Sequence, residues 1–226
     1  MPTVIANGIN MYYEIHGSGE WIVLIAGLGT DSSIFRQYID KLAKKYKVLI
    51  FDNRGVGKTD KPDIPYNIQT MADDTLSLLD ALGIGEAYVL GVSLGGRIAM
   101  ELTLSHPEKV KKLMLVSTAP SVQVKLSIFP KIIKYIRSLN KSEQPYYAFI
   151  SQLKASSGYD CTERLKEIKI PTLIAYGRKD KQITKEQIDE MREKIKYSNL
   201  VEFNGGHLFF IFNSEQFTKE ILNYLS

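Results

Sequence analysis

The 226 residues, 44% hydrophobic and 24% charged, are enough to bury one large core, as a single domain or as one domain with an inserted segment. The formal charge of +4 comes from lysines scattered along the chain, with no basic tail of the kind that binds nucleic acid. A lone cysteine, Cys161, excludes an internal disulfide and suits a reducing compartment, and no apolar run is long enough to span a bilayer.

The chain opens with MPTVIANGINMYYEIHG, which has strand and turn character and a hairpin signal at Asn7-Gly8. It lacks the basic start and long apolar run of a signal peptide, so the expectation is a cytoplasmic protein. Short apolar runs without strict alternation follow at WIVLIA (21–26), VLIF (48–51), AYVLG (87–91), KLMLVS (112–117) and TLIAYG (172–177). Such runs read as strands buried on both faces. Between them the helical period recurs over 32–44, 68–82 behind an Asn67 cap, 94–105 and 185–194, with a last segment over 215–224. That alternation specifies an α/β fold with a mainly parallel sheet and helices on both faces, the hairpin adding an antiparallel edge.

One region breaks the rhythm. Residues 120–157 contain no buried-strand candidate, and IFPKIIKYIRSL sets Ile128, Ile132, Ile133, Ile136 and Leu139 on one stripe opposite Lys131, Lys134 and Arg137. We read 120–157 as a small helical cap inserted into a core of 1–119 and 158–226. The same basic amphipathic stripe would also suit a membrane surface, but covering its own domain is the commoner use, and no stable membrane insertion is expected.

The segment VLIFDNRGVGKTD ends in letters that commonly cradle a nucleotide phosphate. A phosphate loop needs a glycine where Asp52 stands, and a helix starting at Lys58-Thr59 to aim its N-terminus at the anion. Pro62 and Pro65 stand there instead, so nucleotide binding is rejected.

The chemistry concentrates in YVLGVSLGGRIAMEL, where an apolar strand runs into Gly91-Val92-Ser93-Leu94-Gly95-Gly96 and a helix follows at once. A turn that sharp strains its central residue, and glycines two before and two after let the backbones pass. Ser93 would then stand exposed at a helix N-terminus, where a developing negative charge is favoured. Taken alone, the pattern also fits a glycine-rich turn whose serine caps the helix.

A serine hydroxyl needs a base, and the chain offers His16, His106 and His207. His16 follows the N-terminal strand and His106 ends the Ser93 helix, so both are given structural roles. His207, in VEFNGGHLFF, sits on a loop beyond the last strand, behind a flexible glycine pair, and is the candidate base. Asp180, in the turn after the 172–177 strand, is the candidate acid, although an aspartate there also suits a plain turn.

The order Ser93, Asp180, His207, each after a separate strand, resembles the α/β-hydrolase family over nearly the whole chain outside the cap. The resemblance implies an eight-stranded, mostly parallel sheet. It gives FDNRGVGKTDKP the part of a turn near the active-site rim, and AGLGTDSSIF that of the oxyanion loop. Most relatives carry His where this chain has Ala26, which removes a side chain supporting that loop but no backbone donor. The donors carried over are the N–H groups of Leu28 and Leu94.

The implied reaction is attack of Ser93 on an acyl carbonyl, with His207 taking the proton and Asp180 orienting the ring, and with no metal or organic cofactor. Gly27, Tyr146, Tyr147 and Phe149 are candidate substrate contacts for a small or medium hydrophobic acyl group, although each aromatic would serve equally to anchor the cap. The first expectation is a carboxylesterase with a small-molecule ester substrate. The alternatives are a lactone hydrolase of the 3-oxoadipate enol-lactonase type, because LGTDSSIF also resembles the oxyanion loop of those enzymes, and a non-catalytic ligand-binding receptor on the same fold; a basic residue near the pocket would favour an acidic lactone, but the sequence places none of Arg54, Arg97 or Lys125 inside it. A homodimer is left open.

Overall fold

Buried strands and amphipathic helices alternate along the chain because the apolar runs are too short for anything but strands and each intervening segment has one apolar stripe to cover. The computed structural model describes residues 2–122 and 144–226. The stripe expected over 128–139, and Lys125, lie outside them.

Among the described residues eight strands form one sheet: β1 (Thr3–Ala6), β2 (Ile9–His16), β3 (Glu20–Ile25), β4 (Tyr46–Phe51), β5 (Ala87–Val92), β6 (Val110–Val116), β7 (Thr172–Gly177) and β8 (Ser198–Phe203). Their order is β1-β2-β4-β3-β5-β6-β7-β8. The β1/β2 and β2/β4 pairs are antiparallel and every other pair is parallel, so the Asn7-Gly8 hairpin supplies the antiparallel edge. All six residues of β5 and of β7 are buried, as continuous apolar runs require in a sheet covered on both sides.

The helices are α1 (Arg36–Leu42), α2 (Ile68–Ala81), α3 (Leu94–Ser105), α4 (Tyr146–Ser157), α5 (Lys185–Lys194), the single turn α6 (Phe209–Phe212) and α7 (Ser214–Leu225). One core lies where α2, α3 and α5 cover the sheet, with Met71, Leu78, Ile98, Leu102, Ile188 and Met191 among its members. The other lies under α1, α6 and α7 and is rich in aromatics, Phe203 stacking on Phe209 with ring centroids 4.4 Å apart. Asn67 caps α2 by accepting from the Thr70 N–H. Where one helix was expected over 32–44, a 3₁₀ turn at Ser32–Phe35 precedes α1.

The parallel strands β3, β5, β6 and β7 run the same way, so the loops that follow them meet at one edge of the sheet. That edge carries Gly27, Ser93, Ser117 and Asp180.

Candidate active site

Ser93 alone separates β5 from α3, and making the turn in one residue forces it to φ 54°, a left-handed conformation that a side chain rarely adopts. Gly95 makes the approach feasible. A Cβ there would lie 2.2 Å from the Ile25 carbonyl oxygen and 2.7 Å from that of Ala26, so any side chain would push α3 off β3. The Ser93 hydroxyl makes no cap hydrogen bond to α3, which removes the reading of a mere capping serine. It lies instead 3.0 Å from His207 Nε2.

His207 Nδ1 is 2.8 Å from Asp180 Oδ2, and the Asp180 side chain is 1% exposed. The other carboxylate oxygen accepts the N–H groups of Gln182 and Ile183 at 2.8 and 3.2 Å, which fixes the carboxylate plane. Because a carboxylate oxygen only accepts, Nδ1 carries the hydrogen, leaving the Nε2 lone pair to receive the Ser93 proton. The two loops are pressed together by missing side chains: a Cβ on Gly177 would come within 2.5 Å of the Gly205 and Gly206 carbonyl oxygens. The Lys179 N–H donates to the Gly205 carbonyl at 2.8 Å.

Two residues at the end of β6, which the sequence reading did not single out, tie this group to the sheet. The Ser117 hydroxyl donates to the His207 carbonyl at 2.7 Å, and the Thr118 hydroxyl to the Ser93 carbonyl at 2.7 Å. Ser117 is buried at φ 47°, a second left-handed non-glycine residue at the same edge.

The loop after β3 supplies the other side of the site. A Cβ on Gly27 would stand 3.4 Å from the Ser93 Cβ, so this glycine backs directly onto the serine. Thr30 closes a turn by donating its N–H and hydroxyl to the Gly27 carbonyl, at 3.3 and 3.0 Å. Leu28 lies within that turn, and Leu94 is the first residue of α3. Asn53 Nδ2 donates to the Ala26 carbonyl at 3.0 Å. Asp52 takes the Ser32 N–H and hydroxyl on one oxygen (2.8 and 2.7 Å) and the Lys58 N–H on the other (2.8 Å). Side chains other than a histidine at position 26 therefore hold this loop.

These contacts also account for the GVGKT segment. Thr59 Oγ1 accepts from the Tyr12 N–H at 2.9 Å and donates to the Asp52 carbonyl at 2.7 Å, while Lys58 Nζ lies 4.2 Å over the Tyr12 ring. The segment is a bracket between β2 and the rim, with no helix at Lys58 to meet a phosphate.

The candidate substrate aromatics do not share one environment. Tyr146 is 60% exposed on α4, whereas the partly exposed Tyr147 donates its hydroxyl to the Lys61 carbonyl at 2.6 Å and so ties α4 to the end of the FDNRGVGKTDKP segment. Phe149 is buried. The face of α4 that meets the rim carries Ala148, Gln152 and Ser156, spaced four apart.

The two buried arginines also differ. Arg54 makes a two-pronged pair with Asp74, through Nε and, at 2.5 Å, through an Nη, and is thereby consumed in the core. Arg97, one turn into α3, bonds the Ser156 hydroxyl at 2.9 Å, its only hydrogen bond among the described residues, where its Nε has no partner. Burial pushes it down to about 10. His16 pairs with Glu14 and His106 lies beside Glu108, both away from Ser93, as their structural roles require. Burial pushes the Cys161 thiol up to about 11, leaving it a protonated core residue. Among the described residues no group of three His, Cys, Asp or Glu side chains is placed to hold a metal, and no helix is long and apolar enough to cross a membrane.

A model of the alpha/beta hydrolase fold matches residues 20–137, more than half of the chain, and one described as serine hydrolase (FSH1) matches residues 89–221. The chain belongs to the α/β-hydrolase family. A relative named "Putative carbamate hydrolase RutD" from Azorhizobium caulinodans is 28% identical, over 99% of this chain and 98% of its own. An enol-lactonase from Burkholderia xenovorans superimposes with a TM-score of 0.90 at 26% identity, covering 99% of both chains. An esterase from Exiguobacterium antarcticum gives 0.88 at 26%, covering 98% of both. The chain is thus a hydrolase, and the proteins it is similar to are variously named carbamate hydrolase, enol-lactonase and esterase.

Proposed function

We propose that this hydrolase cleaves carboxylic esters through an acyl-enzyme formed on Ser93. The observation that carries the reading is the unbroken relay from Ser93 Oγ to His207 Nε2 (3.0 Å) and from His207 Nδ1 to Asp180 Oδ2 (2.8 Å). As Ser93 attacks the acyl carbonyl, His207 takes the hydroxyl proton and Asp180 stabilises the imidazolium. The N–H groups of Leu28 and Leu94, one on the Gly27 turn and one at the start of α3, receive the charge that develops on the carbonyl oxygen. The imidazolium returns its proton to the leaving alkoxide. His207 then deprotonates a water, which attacks the acyl carbon and releases the acid and Ser93.

The likeness to a solved enol-lactonase supports a second reading, hydrolysis of a lactone, in which the alcohol released stays attached to the acid. Of the cations considered for an acidic lactone, Arg54 is engaged by Asp74, Lys125 lies outside the described residues, and Arg97 is buried under α4. With Arg54 paired and Arg97 buried, the ester stays first.

A fluorophosphonate probe decides between catalysis and mere ligand capture. The native protein should label within minutes and Ser93→Ala not at all, with ester turnover in the variant reduced by about 10⁴-fold or more. A folded native protein that neither labels nor turns over any ester, lactone or carbamate would overturn the reading. Among p-nitrophenyl esters of rising chain length, an enol-lactone and an aryl carbamate, the short to medium esters should have the highest kcat/KM. A preference of several orders of magnitude for the lactone or the carbamate would replace the ester as substrate.

A further inference from the structure

The oxyanion turn is held from a distance by a side chain with no chemistry of its own. Gln152, on the inner face of α4, is fully buried. Its Oε1 accepts the Gly29 N–H at 3.1 Å and a Gln144 Nε2 hydrogen at 3.0 Å, and its Nε2 donates to the Arg54 carbonyl at 2.8 Å. The residues it joins lie 123 and 98 positions away in sequence, so no local turn chemistry would bring them together. Arg54 is in turn fixed by its side-chain pair with buried Asp74.

We propose that Gln152 is a positioning residue for the oxyanion hole: by gripping the amide next to Leu28 and anchoring it on Arg54, it sets the direction in which the Leu28 N–H faces the reacting carbonyl. The inference rests on the acyl-transfer reading above. Its physical basis is that an amide N–H cannot be aimed by its own side chain. The Leu28–Gly29 peptide is planar, so holding its N–H in one direction fixes that peptide plane and, through ψ of Leu28, narrows the directions open to the preceding Gly27–Leu28 peptide, which carries the Leu28 N–H. Gly29, at φ 68°, holds a left-handed conformation that glycine adopts without strain. An oxyanion donor contributes a hundredfold or more to turnover, and misplacing a catalytic group by about 1 Å forfeits a similar factor.

The test compares wild type with Gln152→Met, which keeps the volume and loses all three bonds, and Gln152→Glu, which keeps the shape. Gln152→Met should lower kcat by about 10- to 100-fold with KM changed less than about threefold. Affinity for a trifluoromethyl ketone, which forms the tetrahedral adduct, should fall by the same factor, while the planar carboxylic acid product binds as before. In Gln152→Glu the carboxylate meets the Arg54 carbonyl with lone pairs only, and protonation restores a donor. Its rate relative to wild type should therefore rise as pH falls from 8 to 6. A folded Gln152→Met protein with kcat within twofold of wild type overturns the inference; if that variant fails to fold, a Glu variant with unaltered kcat and a flat ratio does so. An inert wild type would sink the acyl-transfer reading instead. The Gly29 amide, expected to exchange hydrogen at least tenfold faster in Gln152→Met, then decides whether the grip exists.

Discussion

The two sides of the site are built by opposite means. On the side proposed for proton transfer the atoms that would act belong to side chains, Ser93, His207 and Asp180, and they are held by their backbones: the Ser93 and His207 carbonyls are tied to Thr118 and Ser117 at the end of β6, and Gly205 to Lys179. On the side proposed for the oxyanion the atoms that would act are backbone N–H groups, and their loop is held by side chains from elsewhere, Asn53 on the Ala26 carbonyl and Gln152 on the Gly29 amide. A group is aimed by whatever part of its residue is not reacting. Where a side chain reacts, the main chain must be clamped, and where the main chain reacts, foreign side chains must clamp it.

The largest effect that tests this contrast comes from Asp180→Asn. The amide keeps the size of the carboxylate but can present N–H groups to His207 Nδ1, which favours the tautomer whose Nε2 cannot accept the Ser93 proton. We expect kcat to fall by about 10³- to 10⁴-fold with little change in KM, measured by steady-state ester hydrolysis. A smaller loss, below tenfold, would mean that the carboxylate only stabilises its loop through Gln182 and Ile183.

On the opposite side, Asn53→Ala removes the donor to a buried carbonyl. The Ala26 oxygen is left without that bond, which costs about 1–3 kcal/mol of stability, and the turn backing onto Ser93 loosens. Turnover should fall by about tenfold, with fluorophosphonate labelling slowed in parallel. If labelling kept its wild-type rate while the thermal midpoint fell, the Asn53 clamp would be purely architectural and the contrast between the two sides would narrow.

The contrast also explains what could be read beforehand. Ser93, Asp180 and His207 are chemically particular residues in a fixed chain order, and the glycines around Ser93 are required by the close approach of α3 to β3, so both leave marks in the sequence. The parallel strands were legible for a similar reason, since burial on both faces demands unbroken apolar runs. Asn53, Ser117, Thr118 and Gln152 left no such mark. Each is a common polar residue whose partner is a main-chain group that any sequence provides, more than 25 positions away in every case but that of Thr118. Tyr146 and Tyr147 were drawn toward the pocket by their chemistry alone; in α4 Tyr146 is largely exposed and Tyr147 bonds the Lys61 carbonyl, while the buried polar contacts are made by Gln152 and Ser156.

The smallest effect expected, and the one that separates geometry from strain, is at Ser117. Its hydroxyl holds the His207 carbonyl, and its φ of 47° places a side chain where glycine is more comfortable. Ser117→Ala and Ser117→Gly both delete the hydroxyl, so both should lower kcat by the same few-fold factor through a looser His207 loop. Their stabilities should differ. Alanine keeps the unfavourable left-handed conformation, while glycine adopts it freely and loses some stability only through the greater freedom of its unfolded chain. We expect the glycine variant to melt about 2–4 °C above the alanine variant, corresponding to about 1 kcal/mol. Equal melting points with unequal kcat would reverse the assignment: the backbone conformation at Ser117, rather than its bond to His207, would be what the reaction depends on.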